Sequence, residues 1–366
     1  MITIGRVYER RAPCFAVTAL LAIGACAPDP QPDADQAGGD LPLPMIHHVG
    51  LNVVDPQASI EWYQLVWPEA EPTNLDGKPA LRSTFLGGDG EHELFHVFHK
   101  VAQPAPGKWN PDQHRAIPQS PFWHLGTYED TTNLKTRFEQ LGITMAPMWE
   151  TLDGGQLWRS GESRFRGMKT MERIAETPEE EARPGGFAYI IGPDGELVEV
   201  SGGPTARRGL DHVHFFHEQP WCAGKWYIEH LGMSPPLERD PSTNEIREMT
   251  IPSPCEVEFG PPSFPSLEPS GTLRAPRMTV RYGNGSMSSY TRQCRLGRCG
   301  EDQTLVSSRG QVMEHVGFSI PDLAARVERL RGEGVHIVEE IHPFGETRAA
   351  MVADLDGLLL HLVELE

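Results

Sequence analysis

The feature that most restricts what this chain can become is a segment that recurs four times. It reads as a short apolar strand with a histidine near its start, a turn, and then an amphipathic helix. The copies are MIHHVGLNVVDPQASIEWYQLV from residue 45, PFWHLGTYEDTTNLKTRFEQLGI from 121, LDHVHFFHEQPWCAGKWYIEHLGM from 210 and MEHVGFSIPDLAARVERLRGEGV from 313. In the last, Leu323, Val327 and Leu330 recur at helical spacing, and Gly332 and Gly334 stop the helix. Alternating apolar runs follow the copies, among them ALRSTFLGG, ELFHVFHK, FAYIIG and AAMVAD, and these read as strands. Two copies also close alike. IGPDGELVEVSGG and ADLDGLLLHLVELE place the hairpin-favouring pairs Asp194-Gly195 and Asp356-Gly357 before a terminal strand. Such self-similarity predicts an α+β protein of four βαβββ modules.

What surrounds the repeats is of another kind. MITIGRVYERR carries Arg6, Arg10 and Arg11, and an apolar run from Phe15 to Ala25 follows it, too short to span a bilayer. Ile23-Gly24-Ala25-Cys26 resembles the lipobox of bacterial lipoproteins, which implies lipidation of Cys26 and an envelope location facing the periplasm. Ala27 after the cysteine goes with outer-membrane sorting in a Gram-negative cell. An ordinary cleaved signal with an incidental cysteine is the other reading. Residues 1–26 are thus expected to be a signal peptide, and 27–44, rich in Pro, Gly and Asp, a disordered tether. The membrane would be met only through the lipid. A net charge of −19 argues against a nucleic-acid partner, because phosphate binding needs clustered Lys and Arg.

Export permits disulfides. Four cysteines fall in the second half: CRLGRC would close a small Cys294–Cys299 loop, leaving Cys222 with Cys255. Connectivity is not readable from sequence, and free thiols are the alternative. The insertions WRSGESRFRGMKTMERIAETPEEEARPGG and PPSFPSLEPSGTLRAPR are polar or Pro-rich, as surface loops are. GGDGEHE and YGNGS lack the following helix of a phosphate loop, and GxSxG does not occur.

The repeated starts and ends together resemble the vicinal oxygen chelate superfamily, which includes glyoxalase I, extradiol ring-cleavage dioxygenases and bleomycin-resistance proteins. The resemblance spans residues 45–366. It implies modules paired into two open cupped sheets: a first domain over 45–204, and a second over 208–366 with an insertion near 260–276. Each cup would hold a divalent ion, with Fe, Mn, Zn and Ni all compatible. Carried over position by position, the family's ligands fall on His48, His124 and Glu199, with His96 as a fourth and His99 competing for that place. The second site would use His212, His315 and His361, the last where the family has a glutamate, together with Glu258. Tyr189 precedes Glu199 at the tyrosine–glutamate spacing of the extradiol signature, whose upstream histidine is absent; packing explains Tyr189 equally well. His47, His214, His217 and His230 are expected to face outward or pack, and Trp62, Trp67, Trp221 and Trp226 to fill cores.

The resemblance therefore implies a metal-dependent enzyme with glyoxalase-like lyase or isomerase chemistry. Its substrate would be a small molecule chelated through vicinal oxygens, with Glu199 as ligand and base. An extradiol-type dioxygenase, and a non-catalytic lipoprotein that binds a small molecule or metal, are the alternatives.

Overall fold

The computed structural model describes residues 42–87, 92–105, 108–110, 115–130, 133–146, 149–150, 156–157, 186–202, 209–240, 242–256, 277–291 and 304–365. Module 1 comprises β1 (Met45–Val53), α1 (Pro56–Val66), β2 (Glu71–Leu75), β3 (Lys78–Phe85) and β4 (His92–Lys100). A small hairpin, β5 (Lys108–Asn110) and β6 (Arg115–Ile117), leads to module 2. That module contains β7 (Phe122–Glu129), α2 (Leu134–Gln140), β8 (Thr144–Ala146), the pair β9 (Trp149–Glu150) and β10 (Gln156–Leu157), then β11 (Gly186–Ile191) and β12 (Leu197–Gly202). Module 3 contains β13 (Gly209–Phe216), α3 (Pro220–Leu231), the hairpin β14 (Leu237–Arg239) and β15 (Ile246–Glu248), then β16 (Arg277–Tyr282) and β17 (Gly285–Tyr290). Module 4 contains β18 (Met313–Ile320), α4 (Leu323–Gly332), β19 (His336–Phe344), β20 (Thr347–Ala353) and β21 (Leu359–Glu364). Among the described residues no helix is long and apolar enough to cross a membrane.

The expected α+β plan is present, but the modules choose other partners than their order in the chain suggested. The opening strand β1 runs antiparallel to β18, and β7 antiparallel to β13. Modules 1 and 4 thus form one sheet, β2-β3-β4-β1-β18-β21-β20-β19, and modules 2 and 3 another, β8-β11-β12-β7-β13-β17-β16. The two meet where β3 touches β13 at the single pair Phe85 and Leu210. The expected pairings within 45–204 and within 208–366 are therefore replaced by 1 with 4 and 2 with 3. All four opening strands carry the same kind of apolar face, so local pattern does not choose among them.

Each opening strand lies inside its sheet and is covered on both faces, which explains its nearly unbroken apolar run. One face meets the helices. Helix α1 starts where Asp55 caps the amides of Gln57 and Ala58 and Pro56 presets the first turn, and it buries Ile60, Tyr63 and Val66. Helix α4 buries Leu323, Val327 and Leu330, as their spacing predicts. Each such side chain contributes roughly 1.5–3 kcal/mol of apolar burial.

Two matched polar latches hold consecutive modules together across the sheet boundary. The Asp194-Gly195 turn before β12 and the Asp356-Gly357 turn before β21 both need glycine, at φ 95° and 85°. Asp194 accepts from the Val54 amide, and Asp356 from that of Glu218. Beside the first turn, Tyr63 Oη donates to Glu196 Oε1 at 3.0 Å, joining α1 to module 2. Beside the second, Tyr227 Oη donates to Asp354 Oδ2 at 2.6 Å, with His217 Nε2 2.7 Å from the same oxygen, joining α3 to module 4.

Glu196 gives a pH dependence. Burial pushes its carboxyl up to about 7, from an ordinary value of 4.5. Below pH 4.5 the folded and unfolded chains both hold the proton, whereas between 4.5 and about 7 only the folded chain keeps it. Rising pH therefore drains stability across that window, by about 3 kcal/mol once pH exceeds the folded value. Denaturant melts from pH 4 to 8 should show this fall in the wild type and its loss in Glu196→Gln; parallel pH profiles would refute the assignment.

Cys222 and Cys255 are joined by a disulfide across 33 residues of sequence, which settles that pair; Cys26, Cys294, Cys299 and Glu258 lie outside the described residues. Closing a loop of this length removes about 3–4 kcal/mol of unfolded-chain entropy. Cys222→Ser with Cys255→Ser should lower stability by that order in calorimetry, and an unchanged melting temperature would count against it.

Candidate metal centres

The other face of the opening strands carries the histidines. Three of these strands contain a histidine followed two residues later by glycine: His48 and Gly50, His124 and Gly126, His315 and Gly317. The antiparallel register sets three of the four opening-strand histidines opposite a glycine of the partner strand. His48 faces Gly317, His315 faces Gly50, and His212 faces Gly126. A Cβ added at any of these three glycines would lie 2.0 Å from the facing imidazole, so the rings lie flat over bare backbone. The last strand of each module runs parallel beside its opening strand and offers one more residue at that level. These are Glu199 beside Gly126, His361 beside Gly317, Val97 beside Gly50 and Ser288 beside His214.

Two clusters result. In the 2–3 sheet, His124, Glu199, His212 and His214 each present a donor atom within 4.8 Å of the others. His124 Nε2 lies 3.3 Å from Glu199 Oε2, and His212 Nε2 lies 3.6 Å from Glu199 Oε1. Tyr189 Oη donates to Glu199 Oε2 at 3.1 Å and fixes the carboxylate. In the 1–4 sheet, His48, His315 and His361 form the second cluster, with His48 Nε2 and His361 Nδ1 3.0 Å apart. Two donors bound to one ion at about 2.1 Å, about 90–110° apart, are themselves about 3.0–3.4 Å from each other. Both clusters are near that spacing. His212 Nε2 and His361 Nε2 are buried without a hydrogen-bond partner, as imidazole nitrogens aimed at an ion would be.

The electrostatics of the two clusters differ. Burial disfavours the Glu199 carboxylate, but the His124 hydrogen bond, the charge of His212 and the Tyr189 hydroxyl outweigh it and hold its pKa below the ordinary value. Burial also depresses His124, so the 2–3 cluster offers an anionic oxygen beside a neutral imidazole. In the 1–4 cluster, burial and mutual proximity hold His48 and His361 well below the usual histidine range, and among the described residues no carboxylate joins the three. Glu314, at 3.4 Å from His315 Nδ1, stands outside that triad and forms a neighbouring group with His99 and His315. Access differs as well: the His212 side chain is 15% exposed and that of His315 4%.

The expected ligand sets are therefore recombined. His124 and Glu199 meet, but their third partner is His212, while His48 belongs with His315 and His361. Between β1 and β7 lie β4, β3 and β13, about 19 Å along the sheet at ordinary strand spacing. His96 is not a fourth donor. It points to the helix side, where Nε2 meets Ser83 Oγ at 2.9 Å and the ring packs on Trp67, and His99, three residues on, faces the metal side beside His315. His214, expected to pack or face outward, instead stands in the 2–3 cluster with Nδ1 3.0 Å from His124 Nε2. Its signal was present in the sequence: HVH at 212–214 stands where the other strands read HVG or HLG.

The family model for the Glyoxalase/Bleomycin resistance protein/Dioxygenase superfamily matches residues 209–362, which are modules 3 and 4. Glyoxalase I from Zea mays is 13% identical, with a TM-score of 0.48 over 88% of this chain and 92% of that one. A Mn(II)-bound glyoxalase from Novosphingobium aromaticivorans is 14% identical, with a TM-score of 0.24 over 88% of this chain and 83% of that one. TioX from Micromonospora sp. ML1 is 19% identical, with a TM-score of 0.24 over 42% of this chain and 98% of that one. No curated protein matches the chain.

Proposed function

The chain belongs to the glyoxalase/bleomycin resistance protein/dioxygenase superfamily, and on that footing we propose that it is a divalent-metal-dependent enzyme of glyoxalase-like lyase or isomerase type. Its substrate would be a small molecule presenting two vicinal oxygens. One observation carries this reading: two imidazoles and one carboxylate from three separate strands converge in the more accessible of the two clusters. His124, His212 and Glu199 would hold the ion, and Fe, Mn, Zn or Ni suits such donors. A bound ion would act as a Lewis acid, polarising the chelated oxygens and acidifying the C–H next to the polarised carbonyl. Glu199 would leave the ion to take that proton, a role supported by its anionic form and by the Tyr189 hydrogen bond to its Oε2. Trp123, stacked on Phe216 and set edge-on to His124, would limit water beside the proton transfer.

Apo protein reloaded singly with each of the four metals and offered thiol adducts of 2-oxoaldehydes tests the proposal. Turnover without oxygen uptake is expected. Oxygen uptake with catechols would move the protein to the dioxygenase class, and failure to take up any metal would remove the enzymatic reading. A second reading, metal storage, draws on the 1–4 cluster, where three buried histidines and the adjoining His99 and Glu314 gather.

We further propose that Cys26 is lipidated and that 27–44 tethers the folded part to an envelope membrane, on the strength of the lipobox-like segment. Labelling with a palmitate analogue that survives Cys26→Ser would refute this.

A further inference from the structure

We infer that His214 is a fourth metal donor of the 2–3 centre, and that it limits this centre to reactions needing only two open positions on the ion. The inference rests on the metal-dependent reading above and goes beyond it by assigning the coordination number and hence the class of chemistry.

The internal repeat carries the argument. At three of four quasi-equivalent places the residue facing the partner's histidine is glycine, and a Cβ there would strike the ring. At the fourth the residue facing His124 is His214. The clash does not arise, because the His214 ring stands beside His124, with centroids 4.8 Å apart, and lies 4.1 Å from the His212 ring. Its Nδ1 is 3.0 Å from His124 Nε2, and its donor lies within 4.8 Å of those of His124, Glu199 and His212. Neither module 1 nor module 3 has a strong donor at the last-strand position that supplies Glu199 and His361. Val97 occupies it in module 1. In module 3 it is Ser288, whose Oγ is 2.8 Å from Thr279 Oγ1. Module 3 therefore offers its extra donor from the opening strand, one place across from Ser288, and the 1–4 sheet has no counterpart because Gly317 and Gly50 stand there.

Coordination arithmetic gives the consequence. Three donors on a six-coordinate ion leave three positions, enough for a bidentate substrate and dioxygen together, which is the arrangement of oxygenases with two histidines and one carboxylate. Four donors leave two positions, enough for the substrate's vicinal oxygens alone. His214 thus favours lyase or isomerase chemistry and excludes simultaneous oxygen binding on the same ion.

The test uses the full chain carrying His361→Ala, so that a single Mn(II) reports on the 2–3 centre. Water-proton relaxation should count about two exchangeable waters, and about three in His214→Gly, with Mn(II) affinity weakened at least about 100-fold. Glycine is the residue the other three strands carry here, so this variant is expected to fold. His214→Asp, which restores a donor, should recover affinity and return the count to about two. An Fe(II) form given catechol and nitric oxide, an oxygen surrogate, should show a ternary nitrosyl EPR signal only in His214→Gly. Three waters in the unmodified position with Mn(II) bound would overturn the role of His214 and leave the metal-dependent reading standing. Identical affinity and hydration in His214→Gly would do the same, whereas absence of any Mn(II) binding would overturn both.

Discussion

Alanine at position 124 is expected to remove one of two bound metal ions and leave the other untouched, and alanine at position 48 to do the reverse. The register sets this outcome: His124 faces the residues of β13, and His48 those of β18. Outer-sphere changes already weaken metal sites about 10- to 100-fold, so loss of a direct imidazole donor should cost the affected centre at least about 100-fold. Elemental analysis after dialysis against a weak chelator should therefore fall from about two ions per chain to about one in either variant, and to none in the double variant. The pairing of variants matters more than either alone. Had His48, His124 and Glu199 shared an ion, both single substitutions would empty the same site and the second ion would survive in the double variant. That result would sink the 1–4 and 2–3 assignment.

The second large effect is expected from Gly126→Ala. The added Cβ would lie 2.0 Å from His212 Nε2, and the strand carrying it is central and covered on both faces. The imidazole must swing out or the two opening strands must part, and overpacking of this kind costs about 1–3 kcal/mol. Either response withdraws His212 from Glu199, so metal affinity in the 2–3 centre should drop about as far as in His212→Ala, by about 100-fold. Gly332→Ala is the control, since nothing lies within 4 Å of the Cβ it would add, and it should leave both melting temperature and metal affinity nearly unchanged. Should Gly126→Ala bind metal as well as the unmodified chain, the ring-over-glycine account of these sites would be wrong.

Much of this architecture was legible before any coordinates. The Asp-Gly turns, the glycine stop at the end of α4 and the spacing of Leu323, Val327 and Leu330 are local, and each forms where its residues predict. The face of each strand was legible less often. Side chains alternate at a period of two, so a one-residue error reverses direction, and that is how His96 enters the helix-side core while His99 reaches the metal side. His214 is hard to single out locally, because a second histidine on an apolar strand looks like packing and only the tertiary register shows that the other rings each require a glycine opposite.

Local pattern suffices for the repeated unit, the histidine near the head of each opening strand, and the carboxylate and imidazole at positions 199 and 361. Tertiary structure alone decided which of these share a centre. Four near-identical opening strands compete for pairing, and the choice depends on the summed fit of whole strands far apart in the chain, β1 with β18 and β7 with β13. No short stretch contains that information, because the energy that selects the partner is distributed over contacts that exist only once the chain has closed on itself.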